Sequence, residues 1–115
     1  MPKSILDKLQ QELRRGTIVL AVLGQLREEH YGYSLRKALM DHGLAVDEGT
    51  LYPLIRRLES QGLLTSDWRE ENKRRKRFYR LSAEGRTVYE HLVRDWQQVN
   101  ESLMSLMSEE KSCAG

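Results

Sequence analysis

Cys113 is the single cysteine among 115 residues, so no intrachain disulfide can form. A disulfide scaffold is excluded, and the composition suits a reducing cytoplasm. No apolar run approaches the roughly 20 residues needed to cross a bilayer, so no membrane-spanning helix is expected. The opening Met-Pro-Lys-Ser-Ile-Leu-Asp-Lys has neither the apolar core nor the cleavage site of a secretory signal, and none is expected. His30, His42 and His91 lack metal-ligand spacing with one another or with Cys113, so neither a metal site nor another cofactor is predicted. A Gly-rich phosphate loop, a nucleophile elbow and a patterned Ser/His/Asp set are all missing, which disfavours an enzyme. There is no internal repeat.

Charge is unevenly spread. Between residues 66 and 82, seven bases stand against three acids, a balance of +4, whereas residues 83–115 hold three bases against six acids, a balance of −3. One end of the molecule suits a polyanion and the other a protein partner. The length is that of one domain with one modest core.

Residues 4–29 read as a helix, with Leu6, Leu9, Leu13, Val19, Val22, Leu23 and Leu26 recurring mostly at spacings of three or four. A short helix over 33–42 follows, with Leu35, Leu39 and Met40 inward and Gly43 as its stop. The third helix covers 48–61. Leu51, Leu54, Ile55 and Leu58 form its inward stripe, and Asp47 is a candidate N-cap. Pro53 leaves two starts open. A cap at Asp47 puts the ring past the first turn, whereas a cap at Thr50 puts it in the tolerated part.

Leu63–Arg69 and Arg77–Leu81 read as the strands of a hairpin joined by a basic loop without Gly or Pro, whose tip is expected to be mobile. From Ser82 the chain becomes a long helix. Tyr89, Leu92, Trp96, Val99, Leu103 and Leu106 are spaced as a heptad seam, which a chain this small cannot bury alone, so a homodimer is predicted. Residues 1–81 would bind DNA, 82–108 would dimerise, and 109–115 would be a disordered tail.

Two helices joined by a turn and followed by a basic hairpin make a winged helix-turn-helix, in a mainly α fold. Off the stripe of the third helix lie Thr50, Tyr52, Pro53, Arg56 and Arg57. Alone they equally suit a solvated face. Beside Lys73, Arg74, Arg75 and Lys76 they suit double-stranded DNA, because Arg reads guanine edges and phosphates while hydroxyls suit phosphate oxygens. Trp96 reads first as a dimer-core aromatic. With Leu92 and Val99 it could also wall a slot for a flat aromatic ligand.

These blocks resemble the PadR-type transcriptional regulators, of the small class with one C-terminal dimerisation helix. The resemblance covers roughly residues 10–100 and is carried by Arg15-Gly16-Thr17, Tyr31-Gly32-Tyr33-Ser34-Leu35, Gly49-Thr50-Leu51-Tyr52-Pro53, Arg57-Leu58-Glu59, Gly62-Leu63-Leu64, Trp68, Phe78-Tyr79-Arg80-Leu81 and Gly85-Arg86. It implies a homodimer whose third helix enters the major groove, with DNA contacts from Tyr33, Thr50, Tyr52, Pro53, Arg56, Lys73, Arg74, Arg75 and Lys76. It further implies a repressor on a pseudo-palindromic operator, released by a small aromatic effector. Where the family wing usually turns through glycine, this chain has Asn72-Lys73-Arg74-Arg75-Lys76. A ligand-binding dimeric module and a protein–protein adaptor are the alternatives.

Overall fold

The chain orders its helices by where leucine can be hidden. In the computed structural model, which describes residues 3–113 and side chains from 4 to 108, the elements run α1 (Lys3–Gln25), β1 (His30–Tyr31), α2 (Gly32–Asp41), α3 (Glu48–Ser60), β2 (Leu64–Glu71), β3 (Arg74–Leu81) and α4 (Ala83–Cys113). The core gathers Val22 and Leu23 of α1, Leu26 just beyond it, Leu35 and Leu39 of α2, and the whole predicted stripe of α3. Leu64 and Leu81 close it from the base of the hairpin. Each buried leucine contributes about 1.5–3 kcal/mol relative to exposure.

α3 starts where Asp47 caps it. The Asp47 side chain accepts the Thr50 backbone N–H at 3.1 Å, which excludes the start at Thr50. The hydrogen bond to Thr50 holds the Asp47 carboxyl below its ordinary pKa. Pro53 therefore sits inside the helix and offers no N–H to the Gly49 carbonyl, but Gly49 is exposed and water can take that acceptor. Both α2 and α3 end in a Schellman turn. Gly43 (φ 85°) and Gly62 (φ 82°) adopt the left-handed conformation, while Leu44 N–H bonds the Leu39 carbonyl and Leu63 N–H bonds the Leu58 carbonyl.

The hairpin differs from its expected form. Its strands extend to Glu71 and Arg74, so most of the predicted loop is strand, and only Asn72 and Lys73 make the turn. Both have positive φ (53° and 64°), the signature of a tight type I′ turn. Asn tolerates that conformation readily, and Lys73 takes it at a cost of about 1 kcal/mol. Register explains why a run of bases can form a strand: Glu71 lies opposite Arg74 and Glu70 opposite Arg75. The sheet also gains β1, which pairs antiparallel to β3 through His30↔Tyr79 and Tyr31↔Phe78.

α4 begins at the capping Ser82, whose Oγ accepts the Gly85 N–H at 2.9 Å and donates to the Gly62 carbonyl at 2.7 Å. Its helical backbone continues to Cys113, where a tail was expected from residue 109; Ala114 and Gly115 lie outside the described residues. Two further expectations need correction. Met40 points to solvent on α2, and α1 is buried only in its second half, because the core does not reach Ile5, Leu6, Leu9 or Leu13. α1 also ends at Gln25, four residues early, as the chain turns toward β1. No described helix is long and apolar enough to cross a membrane.

Candidate nucleic-acid interface

One surface collects α3, the start of α2 and the hairpin. On α3 the four buried side chains leave Thr50, Pro53, Arg56 and Arg57 exposed, with Tyr52 half-buried. Tyr52 leans over Gly32, where an added Cβ would lie 2.9 Å from Tyr52 Cε1. The close approach requires the glycine and fixes the phenol beside the start of α2. There Ser34 Oγ accepts the Tyr31 N–H at 3.1 Å and donates to the Tyr31 carbonyl at 3.0 Å, holding the Tyr31-Gly32-Tyr33 corner. Tyr33 is 60% exposed, and its ring stacks at 6.4 Å on Tyr31.

Strand alternation sorts the hairpin into two faces. Ser66, Trp68, Arg75, Arg77 and Tyr79 share the face toward α3, because Trp68 pairs with Arg77 and Ser66 with Tyr79. Arg77 is anchored there. Its Nη2 lies 3.0 Å from Glu59 Oε1 and its Nε donates to Ser66 Oγ at 2.9 Å, while Ser66 Oγ itself donates to Glu59 Oε2. Burial pushes the Tyr79 phenol up from its usual pKa.

The opposite face is tied to the loop that follows α1. Glu29 pairs with Arg69 and, at 3.6 Å, with Arg80, and the hydrogen bond from Arg69 holds the Glu29 carboxyl below the usual range. Lys76 lies 4.2 Å from the centre of the Tyr31 ring and 3.3 Å from Glu71 Oε1. The five-base run is therefore divided between structure and surface. Arg77 and Lys76 have internal partners, whereas no ion pair joins Lys73, Arg74 or Arg75 among the described residues.

The predicted DNA residues are not all brought together. Tyr33, Tyr52, Arg56 and Lys76 surround one cleft of about 330 Å³, and Tyr33, Lys76 and Arg74 border the next. Thr50 faces another cleft, with Arg14 and Arg15 of α1. Arg57 and Pro53 are exposed on α3, Lys73 is at the turn, and Arg75 lies 5.3 Å from the Trp68 ring. Trp68, Arg77 and Tyr79 are absent from the predicted site residues although each lies in a predicted strand; the register of β2 on β3 is what puts all three on the face toward α3. The residues of the proposed ligand slot follow one another along one side of α4. Trp96 lines a mostly apolar groove between α1 and α4, Leu92 packs on the core, and Val99 borders a different depression.

A helix-turn-helix followed by a cationic hairpin on the same surface defines a winged-helix DNA-binding protein. Residues 19–91 match the PadR-like family of transcriptional regulators. A transcriptional regulator of Mycobacterium tuberculosis is 33% identical over 106 residues, covering 91% of this chain and 96% of that protein. The crystal structure of a PadR family transcriptional regulator from Eggerthella lenta superposes with a TM-score of 0.83 at 44% identity, over 90% of this chain and 93% of that one. A transcriptional regulator from Clostridium thermocellum gives 0.72 at 30% identity, over 80% and 94%. The chain belongs to the PadR-like family: it is a DNA-binding transcription regulator and not an enzyme.

Proposed function

We propose that the protein is a homodimeric repressor acting in the cytoplasm. Residues 1–81 read DNA, and residues 82–108 hold two copies together. Thr50, Tyr52 and Arg56 approach base edges from α3, while Tyr33 and the wing bases Lys73, Arg74, Arg75 and Lys76 hold phosphates, with Pro53 and Arg57 on the same exposed helix surface. Two α3 helices about 34 Å apart would enter successive major grooves of a pseudo-palindromic operator.

The observation that carries the dimer is a pair of unpartnered apolar stripes. Trp96, Val99, Leu103 and Leu106 are 45–63% exposed along α4, and Ile5, Leu6, Leu9 and Leu13 are 42–76% exposed along α1. An exposed apolar surface on two projecting arms suits a second copy, with α1 of each chain against α4 of the other. Tyr89 and Leu92, nearer the core, begin the same seam. Sedimentation of the full chain tests this. A dimer is expected, with Val99→Glu plus Leu103→Glu giving helical monomers; a wild-type monomer at micromolar concentration would refute it.

For the effector, the support is the groove of about 380 Å³ where Trp96 meets Tyr89, Val93 and Leu20. An apolar, aromatic-walled space of that size suits a small flat ligand, whose binding across the α1–α4 junction would alter the separation of the two reading heads.

A further inference from the structure

We propose that the cleft between α3 and the wing is a second ligand site, taking a flat aromatic anion in place of DNA. The inference rests on the reading of this surface as the DNA face, and it concerns a place remote from Trp96. Its volume of about 330 Å³ falls at the lower end of small-ligand sites, enough for one or two fused rings.

The chemistry of the walls selects the ligand. Trp68 is 52% exposed, whereas its neighbours Tyr52 and Tyr79 are half-buried, so a large apolar ring is left open to solvent in the cleft. Strand alternation directs it toward α3 rather than away, and Tyr52 and Tyr79 line the cleft with it. The guanidiniums of Arg75 and Arg77 lie over the Trp68 ring, 5.3 and 5.7 Å from its centre, so cations accompany the aromatic surface. Arg77 is partly neutralised by Glu59, and Lys76 by Glu71. Arg56 is in no ion pair among the described residues, which leaves it to meet an anion. A planar ring stacks on Trp68 or a tyrosine while its carboxylate reaches Arg56. An aliphatic anion would forgo the stacking, and a neutral ring would forgo the charge.

Tyr33, Tyr52, Arg56 and Lys76 border this cleft and also belong to the proposed DNA face. A ligand held there blocks DNA by occupying its contacts, without any movement of one subunit against the other. Reciprocity then requires DNA to expel the ligand.

The test uses the full-length protein labelled with 5-fluorotryptophan, whose two fluorine resonances are assigned by Trp68→Phe and Trp96→Phe. Titration with 2-naphthoate should shift the Trp68 resonance saturably. Equilibrium dialysis should give about tenfold weaker binding for neutral 2-naphthamide, and for naphthoate with Arg56→Gln, a change on an exposed helix position. A duplex of arbitrary sequence, held at low salt tenfold above its own Kd, should raise the naphthoate Kd about tenfold. A shift at Trp96 alone, equal binding of the amide, or a naphthoate Kd indifferent to bound DNA would overturn the proposal. A saturable Trp68 shift in a protein that never retains duplex would uphold the ligand site and refute the DNA reading on which the competition rests.

Discussion

Arg77 of the wing grips Glu59 near the end of α3, with its Nη2 3.0 and 3.2 Å from the two carboxylate oxygens. Ser66 joins the same cluster from β2, so both strands are tied to α3 by one carboxylate. The wing's direction is thereby set by a side chain of the helix it accompanies. Glu59→Ala should lower stability by about 1 kcal/mol, since the contact is only partly buried. It should also raise amide exchange in residues 66–78, measurable by mass spectrometry. Unchanged exchange there would mean that backbone pairing alone positions the wing.

The free cations of the wing should announce themselves through salt. Arg74 and Arg75 have no ion-pair partner among the described residues, and each that meets a phosphate releases about one counterion. Replacing both by Ala should weaken binding to every duplex and flatten the slope of log K against log salt by about one to two. An unaltered slope in fluorescence anisotropy would remove the wing from the phosphate contacts.

Two glycines should respond differently to alanine. A Cβ at Gly85 would lie 2.0 Å from the Leu63 carbonyl oxygen, a backbone atom, so the start of α4 must move. Gly85→Ala should cost about 2–4 kcal/mol and lower Tm by roughly 10 °C or more. At Gly32 the Cβ meets the far end of the Tyr52 side chain at 2.9 Å, which can swing away. Gly32→Ala should keep the fold and weaken DNA binding about tenfold, by displacing a reading side chain. Calorimetry and anisotropy on both variants separate the two effects, and a Gly85→Ala protein that melts like the wild type would contradict the packing.

The cap of α3 should be sensitive to acid. The folded pKa of Asp47 is lowered by its bond to Thr50, so its stabilisation is complete above the ordinary aspartate pKa and is lost as pH falls through the folded value. Asp47→Asn keeps an acceptor oxygen and loses the charge. The stability gap between wild type and this variant should be constant near neutrality and close below about pH 4. A gap independent of pH in urea titrations would show that the charge has no part in the cap.

Much of the reading head was legible in the chain itself. Leu51, Leu54, Ile55 and Leu58 mark the buried side of α3 by periodicity alone, and Asp47 competes successfully with Thr50 for the cap because its carboxylate reaches the Thr50 N–H. For the wing, local sequence favours a solvated loop over residues 70–76, between the predicted strands. Its strand identity depends on Glu70 and Glu71 arriving opposite, which is a property of register. β1 has only two residues and exists by pairing with β3, a contact no local window contains. Leu6, Leu9 and Leu13 carry the period of a core helix, yet periodicity gives the direction of a stripe and not what covers it.

In the proposed dimer, two copies of α3 read one site together. Selection of duplexes from a random pool by the full-length protein tests it most directly. An enriched inverted repeat is expected, with half-site centres about 10 base pairs apart, or a multiple of that, bound by two chains per duplex. Enrichment of a single unrepeated half-site bound by one chain, or of no sequence at all, would contradict it.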